Sequence, residues 1–236
     1  MHGPTVIQLV LGQVKTSEKS NEITAIPELL NLLDIEGCII TIDAMGTQKK
    51  IAETIIEKKA DYILALKGNQ GYLKEDVQNT FLRRQPDFTD ETVEKGHGRI
   101  ETRKCEVINN LDFLDEKEQW AGLKSLARVT AKREINGKQS SEERLYISSV
   151  ESDAKSFNSF IRQHWGVENS LHWTLDVTFR EDAQRKRNGY AASNYALVEK
   201  IVLNLLKTED SKNMSIKSKR LVAAWDNEFL LKVLRI

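Results

Sequence analysis

Hydrophobic positions change their period along the chain, and each change marks an element. Val6–Val14 reads as a strand, and Lys19-Ser20-Asn21-Glu22 then offers capping residues before Ile26, Leu29, Leu30 and Leu33 at helical spacing, with Gly37 as the stop. Cys38–Ile42 is a near-continuous apolar run of the kind found in a buried parallel strand, and it ends abruptly on Asp43. Ala44-Met45-Gly46-Thr47 leads into a predicted helix, Gln48–Lys59. A second buried strand, Tyr62–Leu66, follows and is closed by Lys67-Gly68-Asn69-Gln70-Gly71. This alternation predicts an α/β sheet built of crossovers, with ligands gathering at the carboxyl ends of its strands, where Asp43 and the Lys67–Gly71 loop both fall.

From Phe88 the pattern becomes alternating. Arg128, Thr130 and Lys132 interleave with Ala127, Val129 and Ala131, and Asn136-Gly137 turns the chain toward Leu145–Val150, so this region is predicted to be β-rich. Its run His97–Lys104 places Arg99, Glu101 and Arg103 on one face of a strand. Such a face either holds a backbone phosphate or is simply solvated. From Ser156 the character is helical to the end, and between Arg180 and Arg220 ten Lys/Arg oppose five Asp/Glu, the best local basic patch in the chain.

The densest chemistry lies in Arg162–Asp182, which reads as one helix. At 100° per residue, Phe160, Val167, Leu171 and Leu175 share a stripe opposite Trp165, Asn169, His172, Trp173 and Asp176, with Glu168 on the border. Core packing would hold such a carboxylate on one flank while its oxygens face a polar cleft, which suits a metal ligand. In the bland alternative the tryptophans are interface aromatics and Glu168 pairs with His172 one turn later. The KGNQG loop is open in the same way: its backbone N–H groups and Lys67 cradle a phosphate, or it is a turn.

Composition narrows the classes. With 236 residues and 40% hydrophobic content the chain can bury a good core, and its 35 basic residues balance 35 acidic ones, so any nucleic-acid contact must come from local patches. Cys38 and Cys105 are too far apart for a metal knuckle and imply unpaired thiols in a reduced compartment. No apolar run approaches the roughly 18 residues that span a bilayer, and Met1–Val10 lacks the pattern of a secretory leader. A cytoplasmic protein is expected.

IDAMGTQ with the following ADYILALKGNQ, the upstream EKSNEITAIPELL, the GHGRIETR run and RQHWGVENSLHWTLDVTFRED together resemble the ISAs-type insertion-sequence transposases of the DDE superfamily, also called H-repeat-associated proteins. The resemblance runs from about Leu11 to at least Lys207. It implies a ribonuclease-H-like mixed sheet with flanking helices, a β-rich insertion and a helical C-terminus. The corresponding domains are residues 1–84 as the first part of the core, 85–150 as the insertion, 151–207 as the Glu-bearing part, and 208–236 as a helical tail. It also implies that Asp43 and Glu168 are the second and third acids of a site for Mg2+ or Mn2+, flanked by His164 and His172 at helper positions. DNA, as transposon ends and target, becomes the expected partner. Contacts are expected from Lys67, Asn69, Gln70, Arg99, Arg103, Arg162, Asn169, Arg185 and Lys186, with a second copy or a full-length transposase as a protein partner and no membrane.

One departure weighs against activity. In the family the first catalytic aspartate lies on the opening strand, in a run similar to DGK, and here no aspartate precedes Asp34. The expectation is an amino-terminally truncated transposase, lacking opening strands and catalytically incomplete because a site short of one carboxylate loses charge and geometry together. Two alternatives stand beside it: a dead remnant that still binds DNA or its full-length relatives, and an unrelated α/β enzyme that binds a small phosphate at KGNQG.

Overall fold

In a computed structural model the described residues are 8–14, 22–96, 98–167, 171–186 and 188–236. They form two compact units, Thr16–His164 and Met1–Lys15 with Trp165–Ile236.

The first unit is a sheet with helices. Helix α1 (Glu22–Leu32) is followed by strand β1 (Ile39–Ile42), helix α2 (Lys49–Glu57) and strand β2 (Asp61–Leu66). A short 3-10 turn, Gly68–Gln70, then opens helix α3 (Gly71–Arg83). Four long strands follow: β3 (Phe88–Gly96), β4 (Arg99–Ile108), β5 (Ser125–Ile135) and β6 (Lys138–Ser148). Helix α4 (Ala154–Val167) belongs to this unit through His164. The mixed α/β architecture expected from the sequence is present. All six strands join one sheet in the order β1-β2-β6-β5-β4-β3. Only β1 and β2 are parallel, paired from Ile39 opposite Asp61 to Ile42 opposite Leu64. β6 joins β2 antiparallel, with Leu66 opposite Leu145, so the strands of residues 88–148 extend the sheet that the parallel pair begins.

The physical causes are local. Tyr62, Leu64 and Leu66 alternate with Ile63, so β2 buries both faces as an interior strand must. Ile51, Ala52 and Ile55 of α2 and Leu73, Val77 and Phe81 of α3 recur at helical spacing and pack with Leu64, Leu126, Leu145 and Ile147 into the unit's main core. The Asn136-Gly137 turn forms as the sequence predicts, with φ of 51° and 75°, because Asn and Gly tolerate the left-handed region that a tight hairpin requires. Gly37 does not end α1, which stops at Leu32. It sits at φ 73° in the turn leading to β1 and donates its N–H to Lys59 at 2.9 Å.

Helix α4 touches both edge strands: Asn158 and Arg162 meet Asp90 and Glu94 of β3, while His164 meets Thr41 of β1.

The second unit is helical. Val6–Val14 was expected to be a strand, but its described part, residues 8–14, has no regular structure. Its backbone finds a side-chain partner instead, since the Asn204 amide accepts from Val10 N–H at 2.9 Å and donates to Val10 C=O at 2.7 Å. A primary amide presents the same donor and acceptor as a neighbouring strand, so one asparagine replaces one step of a ladder. Helices α5 (Ala191–Thr208), α6 (Ile216–Trp225) and α7 (Asn227–Leu234) bury Leu203, Leu206, Phe229 and Val233 with Leu175 and Phe179. Ser215 and Asp226 cap α6 and α7 by accepting N–H bonds at 3.1 and 3.0 Å. Lys219, 7% exposed, donates to the carbonyls of Leu206 and Glu209 at the end of α5, where a cation satisfies both the orphan acceptors and the helix dipole.

The expected single helix over Arg162–Asp182 is modified. Residues 154–167 are α-helical, Leu175–Phe179 form a π-helical turn, and Arg180 at φ 59° ends it, leaving Glu181–Ala183 as a 3-10 turn. A π turn adds a residue per turn and shifts the stripe, so a strict 100° projection overstates its regularity.

Candidate metal and DNA site

Asp43 immediately follows β1, and Lys67 immediately follows β2. Because the strands are parallel and in register, both residues leave the same end of the sheet. Asp43 is exposed, and its Oδ1 accepts the Met45 N–H at 3.1 Å, a short loop of the kind aspartate forms by bonding two residues onward. Among the described residues no cation pairs with this carboxylate.

The loop after Asp43 is held from several directions. Thr47 is fully buried, and its hydroxyl lies 2.6 Å from the Ala65 carbonyl and 3.2 Å from the Asp43 carbonyl, linking the ends of both strands. The amide nitrogens of Asn69 and Gln70 donate to the carbonyls of Ala44 and Thr47 at 2.6 and 2.9 Å. Gly46 has no room for a side chain: a Cβ there would lie 2.6 Å from Ile26 Cδ1 and also against Ile42 Cγ2. A fixed backbone is what a short carboxylate side chain needs if it is to present oxygens at one place.

The KGNQG loop is a turn that braces this neighbour. Neither Gly68 nor Gly71 adopts a left-handed conformation, and the Gln70 N–H is directed to the Lys67 carbonyl at 3.2 Å. Asn69 and Gln70, expected to touch DNA, spend a donor each on the Asp43 loop, and Lys67 is exposed beside them. The bracing role of Thr47 is the feature that sequence reading missed. Its only signal was its place within IDAMGTQ, since a lone threonine carries no periodicity.

His164 joins the same strand. Its Nδ1 and Thr41 Oγ1 lie 2.9 Å apart in a hydrogen bond, two residues before Asp43 in sequence and four before Glu168. Glu168 and Asn169 lie outside the described residues, as does His97. His172 is exposed in the helical unit.

The remaining candidates fall elsewhere. Arg162 is ion-paired with Glu94 of β3. Arg99 and Arg103 share Glu101, at 3.5 and 2.6 Å, with Arg133 a third partner at 3.4 Å. These cations therefore belong to a ladder around a carboxylate that is only 8% exposed, and they are not brought to Asp43 by the strand itself. Arg185 is exposed, and the Lys186 ammonium sits 3.3 Å above the Tyr195 ring. No ion pair links Asp176 to Arg180 among the described residues.

Against this geometry, the chain matches the family described as the transposase DDE domain over residues 6–205. The chain belongs to the transposase DDE domain family. It is 47% identical over 236 residues to "Putative transposase YncI" of Escherichia coli O157:H7, covering 96% of this chain and 60% of that relative. It is 43% identical over 241 residues to "H repeat-associated putative transposase YhhI" of Escherichia coli strain K12, covering 98% of this chain and 63% of that relative. This member of the transposase DDE domain family thus spans about 60–63% of the length of the curated relatives it matches. Membership bears out the resemblance drawn from IDAMGTQ and RQHWGVENSLHWTLDVTFRED, and it sets aside an unrelated phosphate-binding enzyme. No described helix is long and apolar enough to cross a membrane.

Proposed function

We propose that this chain carries the second and third acids of a DNA transposase, Asp43 and Glu168, and that together they hold Mg2+ or Mn2+ for cleavage and transfer of DNA strands. The observation that carries this reading is Asp43 itself: an exposed carboxylate without a cation partner among the described residues, on a loop braced by Thr47, Asn69 and Gln70. An unpaired, rigidly mounted aspartate at a strand end suits a hard divalent cation. The His164–Thr41 hydrogen bond supports the assignment of Glu168, because it ties α4 to the strand that bears Asp43 four residues before that glutamate.

When bound, the ions would supply Lewis-acid polarisation of the phosphodiester and neutralise charge developing on its oxygens. The chain's own contributions are separate. Thr41 fixes the His164 ring so that it acts as a positioning residue, and His172 lies at the second helper position. Lys67 places a positive charge at the mouth of the site. Arg185 and Lys186, with Arg99, Arg103 and Arg162, supply the sequence-independent attraction of a DNA backbone. DNA ends, target DNA and a second copy or full-length transposase are the proposed partners.

Manganese titration followed by thermal unfolding tests the metal assignment. At 100 times the dissociation constant, binding stabilises by about 2.7 kcal/mol. Asp43→Asn and Glu168→Gln should each erase that response, and a manganese shift that survives in both variants would overturn the site. Band shifts against salt, run beside a nicking assay, separate binding from turnover. Binding should weaken steeply with salt, by about 0.9 in log K per log unit for each phosphate neutralised.

A further inference from the structure

A cavity of about 260 Å³ lies within the helical unit, well away in sequence from Asp43. It is lined by Glu181, Gln184, Lys186, Tyr195 and Glu199, with Ala192 and Ala196 as its apolar wall. Glu199 is 5% exposed, and its buried Oε2 has no hydrogen-bond partner among the described residues. Leaving a buried carboxylate oxygen unpaired is costly, so a group that enters the cavity and donates to Glu199 would remove a penalty. A ligand that uses both oxygens at once requires the Glu199 side chain to turn so that the buried Oε2 also faces the cavity.

The charges decide what kind of donor fits. Glu181 has Lys200 at 3.9 Å, and the Lys186 ammonium stands in the cavity over Tyr195. Among the described residues Lys186, Lys200 and Arg220 all lie close enough to act on the Glu199 carboxyl, so an added metal ion or organic cation would meet positive charge already present. A neutral donor is not repelled by it. Among the described residues, moreover, no three His, Cys, Asp or Glu side chains gather as a metal centre would require. The half-buried Tyr195 ring lines the cavity and offers an aromatic face to a flat ligand, with the Lys186 ammonium over it and bonded to Gln184 at 3.3 Å.

We infer that this cavity receives an unpaired guanine base of a bound DNA strand, with Glu199 accepting its adjacent N1–H and N2–H donors and Tyr195 stacking on its face. Guanine alone among the bases offers two neighbouring donors to a two-oxygen acceptor; cytosine and adenine set an acceptor beside their single amino group, and thymine flanks its one donor with acceptors. Lys186, lifted from the ring, is then placed to meet the phosphate beside that base, with exposed Arg185 next to it. Recognition of an unstacked base by a carboxylate and an aromatic ring is the physics used by proteins that read single-stranded or flipped nucleotides. The inference rests on the DNA-binding reading above, while its chemistry is that of the guanine ring, which a free nucleotide also carries.

Fluorescence anisotropy on the full chain tests it with thymidine 15-mers whose central residue is guanine, inosine or thymine; inosine keeps N1–H and loses the N2 amino group. Wild type should bind the guanine strand about tenfold more tightly than the other two. Glu199→Gln should abolish that preference with thymine-strand binding unchanged, Tyr195→Phe should retain it, and Tyr195→Ala should weaken it. Equal affinities for guanine and inosine strands, or a preference that survives Glu199→Gln, would overturn the pocket while leaving DNA binding intact. If no strand binds at low salt but guanosine monophosphate raises the thermal midpoint of wild type and not of Glu199→Gln, the DNA reading fails and a free-nucleotide site stands. If neither probe acts, both fail.

Discussion

Single residues set the geometry of the Asp43 loop, and their effects are measurable one at a time. Gly46→Ala pushes a methyl group into Ile42 and Ile26; the β-branched Ile42 sits close to its own backbone and cannot swing aside, so overpacking of about 1–3 kcal/mol is expected in urea unfolding. Thr47→Val keeps the shape and removes the donor to Ala65, leaving a buried carbonyl short of a partner, and should cost about 1–3 kcal/mol. If that variant unfolds at the wild-type urea concentration, the bracing described for Thr47 is wrong. Glu199 gives a prediction of opposite sign. Burial pushes its carboxyl above the ordinary value of 4.5, and the nearby Glu181 charge adds to this. A raised carboxyl penalises the folded state once it must ionise: the penalty is absent below pH 4.5 and grows as pH rises through the folded value. Glu199→Gln should therefore raise the thermal midpoint at pH 7.5 and leave it unchanged at pH 4.

At the scale of elements, patterns with a short period were the most legible. The alternation of β5 and β6 and the Asn136-Gly137 turn were readable because each is decided within a few residues; Asn136→Ala, forced into the left-handed region at φ 51°, should cost about 1 kcal/mol of hairpin stability by hydrogen exchange. The β4–β5 pair holds a charge cluster that sequence alone could not assemble, since Glu106 and Arg128 are far apart in the chain yet paired across the ladder. Burial pushes the Glu106 carboxyl up, but hydrogen bonds from Lys104 and Arg128 outweigh it and hold the group below 4.5. A lowered carboxyl stabilises the fold above its unfolded value, and that contribution is lost as pH falls through the folded value. Glu106→Gln is accordingly expected to cost about 1–3 kcal/mol at pH 7, with the gap to wild type closing below pH 4.5. Element boundaries were less legible where the backbone leaves ideal geometry: the π turn at Leu175–Phe179 and the left-handed Arg180 follow from packing around Leu175 and Phe179, not from any residue type that signals them.

For the whole molecule, the two units carry separate apolar clusters, one around Leu64 and Ile147 and one around Leu203 and Phe229. Leu203→Ala should therefore weaken the helical unit by about 2–5 kcal/mol while amide protection in β2 and β6 stays as in wild type. Loss of protection throughout would show instead that one cooperative core serves the entire chain. The amino-acid sequence by itself determined the alternation of helix and strand from α1 to β2, the position of Asp43 at a strand end and the family, because hydrophobic period, turn residues and local motifs act over a few neighbours. Only tertiary structure decided that the strands of residues 88–148 extend the same sheet, that Asn69 and Gln70 brace the Asp43 loop, that Arg162 faces Glu94, and that residues 8–14 bond to Asn204 instead of to a strand. Those outcomes depend on which distant groups compete for each buried donor, acceptor and charge, and that competition is resolved only when the chain closes on itself.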